Sequence, residues 1–353
     1  MELSAHTTLR LGGPAARLVE AATDDDLVRA VREADAAGAP VLVLAGGSNV
    51  VVSDEGFAGL VVLVVTRGVE RDGEVVRAAA GEPWDAVVAR CVLEGLAGIE
   101  CLSGIPGSVG ATPIQNVGAY GQEVSDTIMS VRALDRRSGE VVDLSPAECA
   151  FSYRSSAFKR DPERWVVLGV SYALHAGGEA RPIRYAELAR ALGVEVGGSA
   201  PLADVRAAVL ALRRSKGMVL DPADPDSVSA GSFFTNPILD AGAFAALEAR
   251  ACERLGGDVR VPAFAEPDGR VKTSAAWLIE RAGFAKGHGD PAGIAISSKH
   301  VLALTNRGGG TTTELVGLAR EIADGVEAAF GVRLHPEPVF VGHAWEPAPE
   351  RLS

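Results

Sequence analysis

The sequence predicts an α+β protein, and three observations carry that prediction. Helix and strand patterns alternate through the first third, a hairpin pattern follows in the middle, and helical periodicities dominate the last third. No period repeats along the chain, so a serial βαβ array is not expected and a mixed sheet is.

The elements follow in order. Asp24–Asp26 open a helix that puts Leu27, Val28, Val31 and Ala34 on one face and stops at Gly38. Val41–Leu44 and Val50–Val52 read as strands on either side of a glycine turn, and Leu60–Val65 and Glu74–Ala80 as two more. Pro83 suits the first turn of a helix, which Val87, Val88, Cys91 and Val92 continue to Gly95. Val131–Leu134 and Glu140–Leu144 flank Asp135-Arg136-Arg137-Ser138-Gly139 as a hairpin, and Val166–Leu174 is a further strand. Loop-like Gly177–Glu179 and Gly197–Ala200 bracket a short insert that carries Tyr185. A helix over Leu202–Lys216, with Val205, Val209 and Leu212 on one face, leads into a second domain. There the spacing predicts helices over Ala241–Arg254, Ala275–Arg281 and Thr313–Phe330, and a strand over His300–Leu304.

Composition narrows the function. A chain of 353 residues can bury two or three cores. Its net charge of −12 argues against nucleic acid or an anionic membrane as a partner, and any anionic ligand must be met by local cations. No basic stretch followed by an apolar core opens the chain, and no apolar run nears the roughly 20 residues that span a bilayer. Cys91, Cys101, Cys149 and Cys252 are scattered without metal-ligand spacing, so reduced thiols, no metal and a cytoplasmic setting are expected.

The densest chemical information lies in two glycine-rich loops. One is Ala45-Gly46-Gly47-Ser48-Asn49; the other runs from Gly104-Ile105-Pro106-Gly107-Ser108-Val109-Gly110 through Ala111 and Gln115-Asn116 to Gly118-Ala119-Tyr120-Gly121. Glycine lets backbone N–H groups approach a ligand closely and form an anion-binding nest. Neither loop has the Rossmann or P-loop spacing, yet two such loops suit a diphosphate gripped from two sides. Either alone also fits a tight surface turn.

Other residues could act on a substrate. Tyr153-Arg154 lies between Phe151 and Phe158, where a guanidinium fork could hold a carboxylate. Ser232 follows a glycine and precedes Phe233 and Phe234, so its hydroxyl could enter a dry pocket, although no nucleophile elbow is present. Glu337 stands between Pro336 and Pro338, a stiff setting for a carboxylate. Tyr185, Lys216, Asn236 and Lys272 are further polar candidates, each equally readable alone as a solvated side chain.

Taken in this order, the segments resemble the UDP-N-acetylenolpyruvoylglucosamine reductase (MurB) family, from Thr8-Leu9-Arg10-Leu11-Gly12-Gly13 to Pro338-Val339-Phe340-Val341-Gly342. The most specific matches are Gly46–Asn49, Gly104–Gly110, Gln115–Gly121, Tyr153-Arg154, Gly231–Pro237 and Pro336-Glu337. The resemblance implies an FAD-binding fold of the vanillyl-alcohol-oxidase (PCMH) type with a smaller α+β C-terminal substrate domain. It suggests residues 1–67 and 68–215 as two FAD-binding subdomains, with the insert at about 177–200. Residues 216–335 would bind substrate and 336–353 would return toward the flavin domain.

The resemblance also implies non-covalent FAD held by the glycine-rich loops, NADPH as co-substrate, and UDP-N-acetylenolpyruvoylglucosamine as the compound reduced. A covalent flavin oxidase would offer His or Cys in such loops, and neither loop does. Arg154, Ser232 and Glu337 match the family's catalytic residues: a guanidinium for the substrate carboxylate, a proton donor and an assisting carboxylate. Tyr153, Tyr185, Lys216, Asn236 and Lys272 match its substrate contacts, and Tyr185 marks the class with the tyrosine-bearing insert. Thr235 stands where some relatives carry a basic residue. A monomer is expected.

Overall fold

The computed structural model describes residues 1–345, and these divide into two compact units. The first comprises Met1–Glu2, Pro14–Gly47 and Phe57–Leu220; the second comprises Leu3–Gly13, Ser48–Gly56 and the chain from Asp221 onward. The linear division had put residues 3–13 and 48–56 in the first domain and the boundary at 215/216. Both short segments are instead claimed by partners far along the chain, such as Asn306, whose Nδ2 donates to Leu9 O at 3.0 Å.

Parallel and antiparallel strands are segregated in the first unit rather than mixed. A three-stranded parallel sheet has the order Ala15–Ala21, Phe57–Val64, Val41–Leu44. The helix Asp24–Ala36 buries Leu27, Val28, Val31 and Ala34, the face expected from their spacing, in one core with Leu60, Val62 and Val64. A five-stranded antiparallel sheet has the order Glu140–Leu144, Ile128–Asp135, Trp165–Ala173, Val75–Ala79, Val69–Asp72. The helix Trp84–Leu93 shares the second core with it, where the Trp84 indole donates to Leu102 O at 3.1 Å and the Thr112 and Tyr172 hydroxyls bond at 3.0 Å.

The insert closes on itself. Ala180 N donates to Ala200 O and Ile183 N to Gly198 O, and its helix Ala186–Leu192 packs with Leu202–Ser215 in a third core. Glu100, fully buried, ties the insert to the long loop by accepting from Arg181 N, Gly98 N and Gln122 Nε2.

In the second unit the helices Ala241–Leu255, Ala275–Ala282 and Thr312–Phe330 surround a core containing Phe233, Phe234, Leu278, Ile322 and Phe330. The strand expected over His300–Leu304 is a turn as far as Ala303, because Ala303 N returns to His300 O and the Ser297 hydroxyl takes the N–H groups of Lys299 and His300. The strand runs instead over Leu304–Asn306, antiparallel to Ile294–Ile296. Val339–Val341 pairs in parallel with Val50–Val52; the remainder of the C-terminal segment, 346–353, lies outside the described residues. Among the described residues no helix is long and apolar enough to cross a membrane.

The N-terminus of Thr312–Phe330 is doubly capped. Thr311 and Glu314 form a capping box, and the Asp54 carboxylate accepts from Thr312 N (2.7 Å), Thr313 N (2.9 Å) and Thr313 Oγ1 (2.7 Å). Burial opposes the Asp54 charge, but these bonds outweigh it and hold the carboxyl below its usual range. A depressed carboxylate pKa contributes stability above the unfolded value near ~3.9 that is lost as pH falls through the folded value. Asp54→Ala should therefore cost about 1 kcal/mol in urea denaturation at pH 7, in line with removal of a helix cap. The gap to the parent should shrink toward pH 3, and a gap that is constant with pH would contradict the charged cap.

Candidate active site

The long glycine-rich loop is fastened at both ends to its own unit. Gly104 N donates to Asp85 Oδ1 at 2.6 Å, Val109 N to Glu82 O at 2.9 Å and Gly110 N to Ala80 O at 2.9 Å. A β-carbon on Gly46 would lie 2.6 Å from Gly107 Cα, so the two loops meet backbone against backbone where only glycine fits. Ser108 Oγ, in the same loop, is buried and has no hydrogen-bond partner. A buried hydroxyl left unsatisfied costs roughly 1–3 kcal/mol, and a polar ligand in the cradle would recover it. The close backbone approach and this orphan hydroxyl both fit a flavin nucleotide.

The loop's continuation builds a seat for Arg154. Of the five non-glycine residues with positive φ among the described residues, three are here: Asn116 (47°), Tyr120 (49°) and Arg154 (50°). The left-handed region costs a residue bearing a β-carbon of order 1 kcal/mol and persists only where the surroundings demand it. Arg154 Nη2 donates to Gly118 O at 2.8 Å and Nη1 to Asn116 O at 3.3 Å, and the guanidinium lies 5.4 Å from the Tyr153 ring centroid. The buried Asn116 amide fixes those carbonyls: Nδ2 donates to Glu123 Oε2 (2.7 Å) and Ser152 O (3.3 Å), and Oδ1 accepts from Ser125 N (3.1 Å). Asn116, singled out as a cofactor contact, thus has its side chain occupied by the chain itself.

Tyr120 meets Tyr185 edge to face at 5.5 Å, and Lys216 Nζ lies 5.9 Å from the Tyr120 centroid. Burial pushes the Tyr120 phenol up while Lys216 and Arg213 pull against it. Lys216 bonds Glu187 Oε2 at 2.8 Å; burial would lower its pKa, but Glu187 raises it further. Ile105, Gln115 and Ala119 are half-buried, as is Ala111 next to buried Gly110.

In the second unit, two separated segments are laced together. Glu337 N donates to Phe233 O at 2.8 Å, Thr235 N to His335 O at 3.1 Å, and Phe234 bridges Pro336. Ser232 and Glu337 therefore stand on adjoining extended segments, with Phe233 and Phe234 buried beneath them. Asn49 Nδ2 donates to Glu337 O at 3.4 Å. Asn236 Oδ1 accepts from Ala275 N at 3.0 Å, and Lys272 bonds Glu266 at 2.7 Å. Sequence reasoning had passed over the carboxylates of Glu123, Glu187 and Glu266; Glu187, two residues after Tyr185 in the same insert, was the easiest to find.

The buried cysteines offer no thiolate. Burial pushes Cys91 up to about 12 and Cys149 to about 11.

Known proteins supply an independent comparison. Residues 15–145 match the family profile described as FAD binding domain, and residues 222–341 match UDP-N-acetylenolpyruvoylglucosamine reductase, C-terminal domain. A Streptomyces coelicolor protein named UDP-N-acetylenolpyruvoylglucosamine reductase is 61% identical over 340 residues, 96% of this chain and 88% of the relative. A Thermobifida fusca protein of the same name is 59% identical over 345 residues, 96% of each. The crystal structure of the UDP-N-acetylenolpyruvylglucosamine reductase (MurB) from Thermus caldophilus aligns with a TM-score of 0.66 over 97% of both chains at 24% identity, a likeness of fold.

The Asn116 seat generates a test. Asn116→Asp replaces an N–H donor with an oxygen facing Glu123, and should cost about 1–3 kcal/mol in chemical denaturation. Adding Glu123→Gln restores a donor and should recover much of that loss. Independent, additive effects would mean that the two side chains do not interact.

Proposed function

The chain belongs to the UDP-N-acetylenolpyruvoylglucosamine reductase family, and from that premise we propose how its residues share the reaction. It is an FAD-containing oxidoreductase, a UDP-N-acetylmuramate dehydrogenase of peptidoglycan precursor synthesis, that reduces the enolpyruvyl group of UDP-N-acetylenolpyruvoylglucosamine. Bound FAD supplies the two-electron relay between NADPH and the substrate's vinyl group. The glycine loops with Ser108 would hold it.

The observation that carries the assignment of roles is the ladder that sets Ser232 beside Glu337 within the unit matched by the reductase C-terminal profile. Addition of hydride to the β-carbon leaves negative charge on the α-carbon and its carboxylate. Arg154, oriented by Asn116 O and Gly118 O, binds that carboxylate and stabilises the charge as it develops. Ser232 Oγ is half-buried and, among the described residues, donates to no other group, so its proton is available to the α-carbon. A hydroxyl is a weak acid, and a strongly basic carbanion-like centre is the partner it suits. Glu337 assists on the carboxylate side.

Lys216 and Tyr185, with Asn236 and Lys272, take the substrate's diphosphate and uridine end. The free cysteines suit a reducing compartment, and the reading has the enzyme in the cytoplasm as a monomer.

The direct test is the visible spectrum under anaerobic conditions. Flavin bands should bleach with NADPH and return on addition of the enolpyruvyl substrate; protein that cannot be reconstituted with FAD would refute the reading. In Ser232→Ala the bleaching should keep its rate while the return slows roughly 10²–10⁴-fold, the usual contribution of a general acid. Equal slowing of both phases would remove Ser232 from the proton-donor role.

A further inference from the structure

Glu100 is a fully buried carboxylate to which the proposed reaction gives no role. Among the described residues it forms no ion pair, and N–H groups satisfy it instead. Gly98 N donates to Oε2 at 2.6 Å, while Gln122 Nε2 and Arg181 N donate to Oε1 at 2.8 and 3.2 Å. These donors come from three segments: the stretch just ahead of the long glycine loop, the far end of that loop, and the insert. A carboxylate taken out of water is tolerated only where such bonds replace its hydration, so the three segments are held to one another through it.

At the far end of the loop, Gly118-Ala119 pairs with Gln122-Glu123 across the two-residue turn Tyr120-Gly121. Both turn residues have positive φ, 49° and 84°, as a tight hairpin of this kind requires. The Gln122 side chain is itself pinned, because its Oε1 accepts from Cys101 N at 2.8 Å. The insert stands against the hairpin tip. A β-carbon on Gly121 would lie 3.0 Å from Arg184 Cβ and 3.6 Å from Tyr185 N, and the Tyr120 and Tyr185 rings meet edge to face. Between Arg181 and Tyr185 the chain has little freedom: Pro182 restricts the backbone, and Ile183 is buried in one core with Leu188 and Val205. The place of Arg181 N therefore decides the place of Tyr185.

We propose that Glu100 is a positioning residue: by holding Arg181 N to Gln122, it sets where Tyr185 stands beside Tyr120 and so how tightly the nucleotide sugar is taken. This rests on the reductase reading, in which Tyr185 contacts the substrate. A carboxylate is required because both of its oxygens accept; a glutamine would have to turn its NH2 group toward one of the donors.

The test uses the full flavin-loaded chain with Glu100→Gln and with the exchange Glu100→Gln/Gln122→Glu. In the exchange the amide and the carboxylate trade places, so their mutual bond re-forms while Arg181 N still meets an NH2 group. The melting temperature should fall in the single variant and largely return in the exchange. The KM for UDP-N-acetylenolpyruvoylglucosamine should stay raised about fivefold in both, roughly the worth of one hydrogen bond. Bleaching of the flavin at saturating NADPH should keep the parent's rate. In a Tyr185→Ala background Glu100→Gln should raise KM no further, because its effect passes through Tyr185. A merely structural carboxylate would give a KM that recovers with stability in the exchange, or an effect that adds in full to Tyr185→Ala; either result overturns the proposal, as does a KM unchanged throughout. Should Glu100→Gln misfold, the exchange carries the KM comparison by itself. Failure of the parent's spectroscopic cycle with NADPH and substrate would refute the reductase reading instead, so the two fail separately.

Discussion

The backbone of Gly46 passes so close to Gly107 that no side chain fits between them, and the two glycine-rich loops depend on that approach. The second loop can hold this position because Ala80 and Glu82, at the end of the antiparallel sheet, accept its N–H groups. Asp85, in the first turn of the following helix, holds Gly104 with its carboxylate. The loop is thus a fixed surface of backbone polar groups, and pre-organisation of that kind lets a nucleotide bind without a large ordering cost.

The same loop continues into the Arg154 seat, where rigidity is obtained differently. Positive φ angles at Asn116, Tyr120 and Arg154 are unfavourable locally, and the Asn116 amide network with Glu123, Ser125 and Ser152 maintains them. The guanidinium donates to two backbone carbonyls of that same loop, Asn116 O and Gly118 O.

Two lysines of interest have carboxylate partners. Lys216 with Glu187 and Lys272 with Glu266 are partly exposed pairs, and such pairs are worth about 0–1 kcal/mol. Under the proposed function, a phosphate reaching Lys216 would displace Glu187 at little cost.

Local pattern was enough to locate the helix Asp24–Ala36 with its buried face, the hairpin around Gly139, the glycines of both loops, and Arg154, Ser232 and Glu337 as residues of interest. Periodicity and turn chemistry act over a few residues and are written directly in the sequence. Partner choice is not. The bonds from Asn49 to Glu337 and from Asp54 to Thr312 join positions 288 and 258 residues apart. The pairing of Val339–Val341 with Val50–Val52 is equally remote, and the turn at His300–Ala303 follows from the Ser297 hydroxyl rather than from β propensity. Which carboxylate meets which lysine, which amide holds Arg154, and which buried hydroxyl and guanidinium nitrogen go without a partner are decided only when distant segments pack, because desolvation and hydrogen-bond satisfaction have no value until the neighbours arrive.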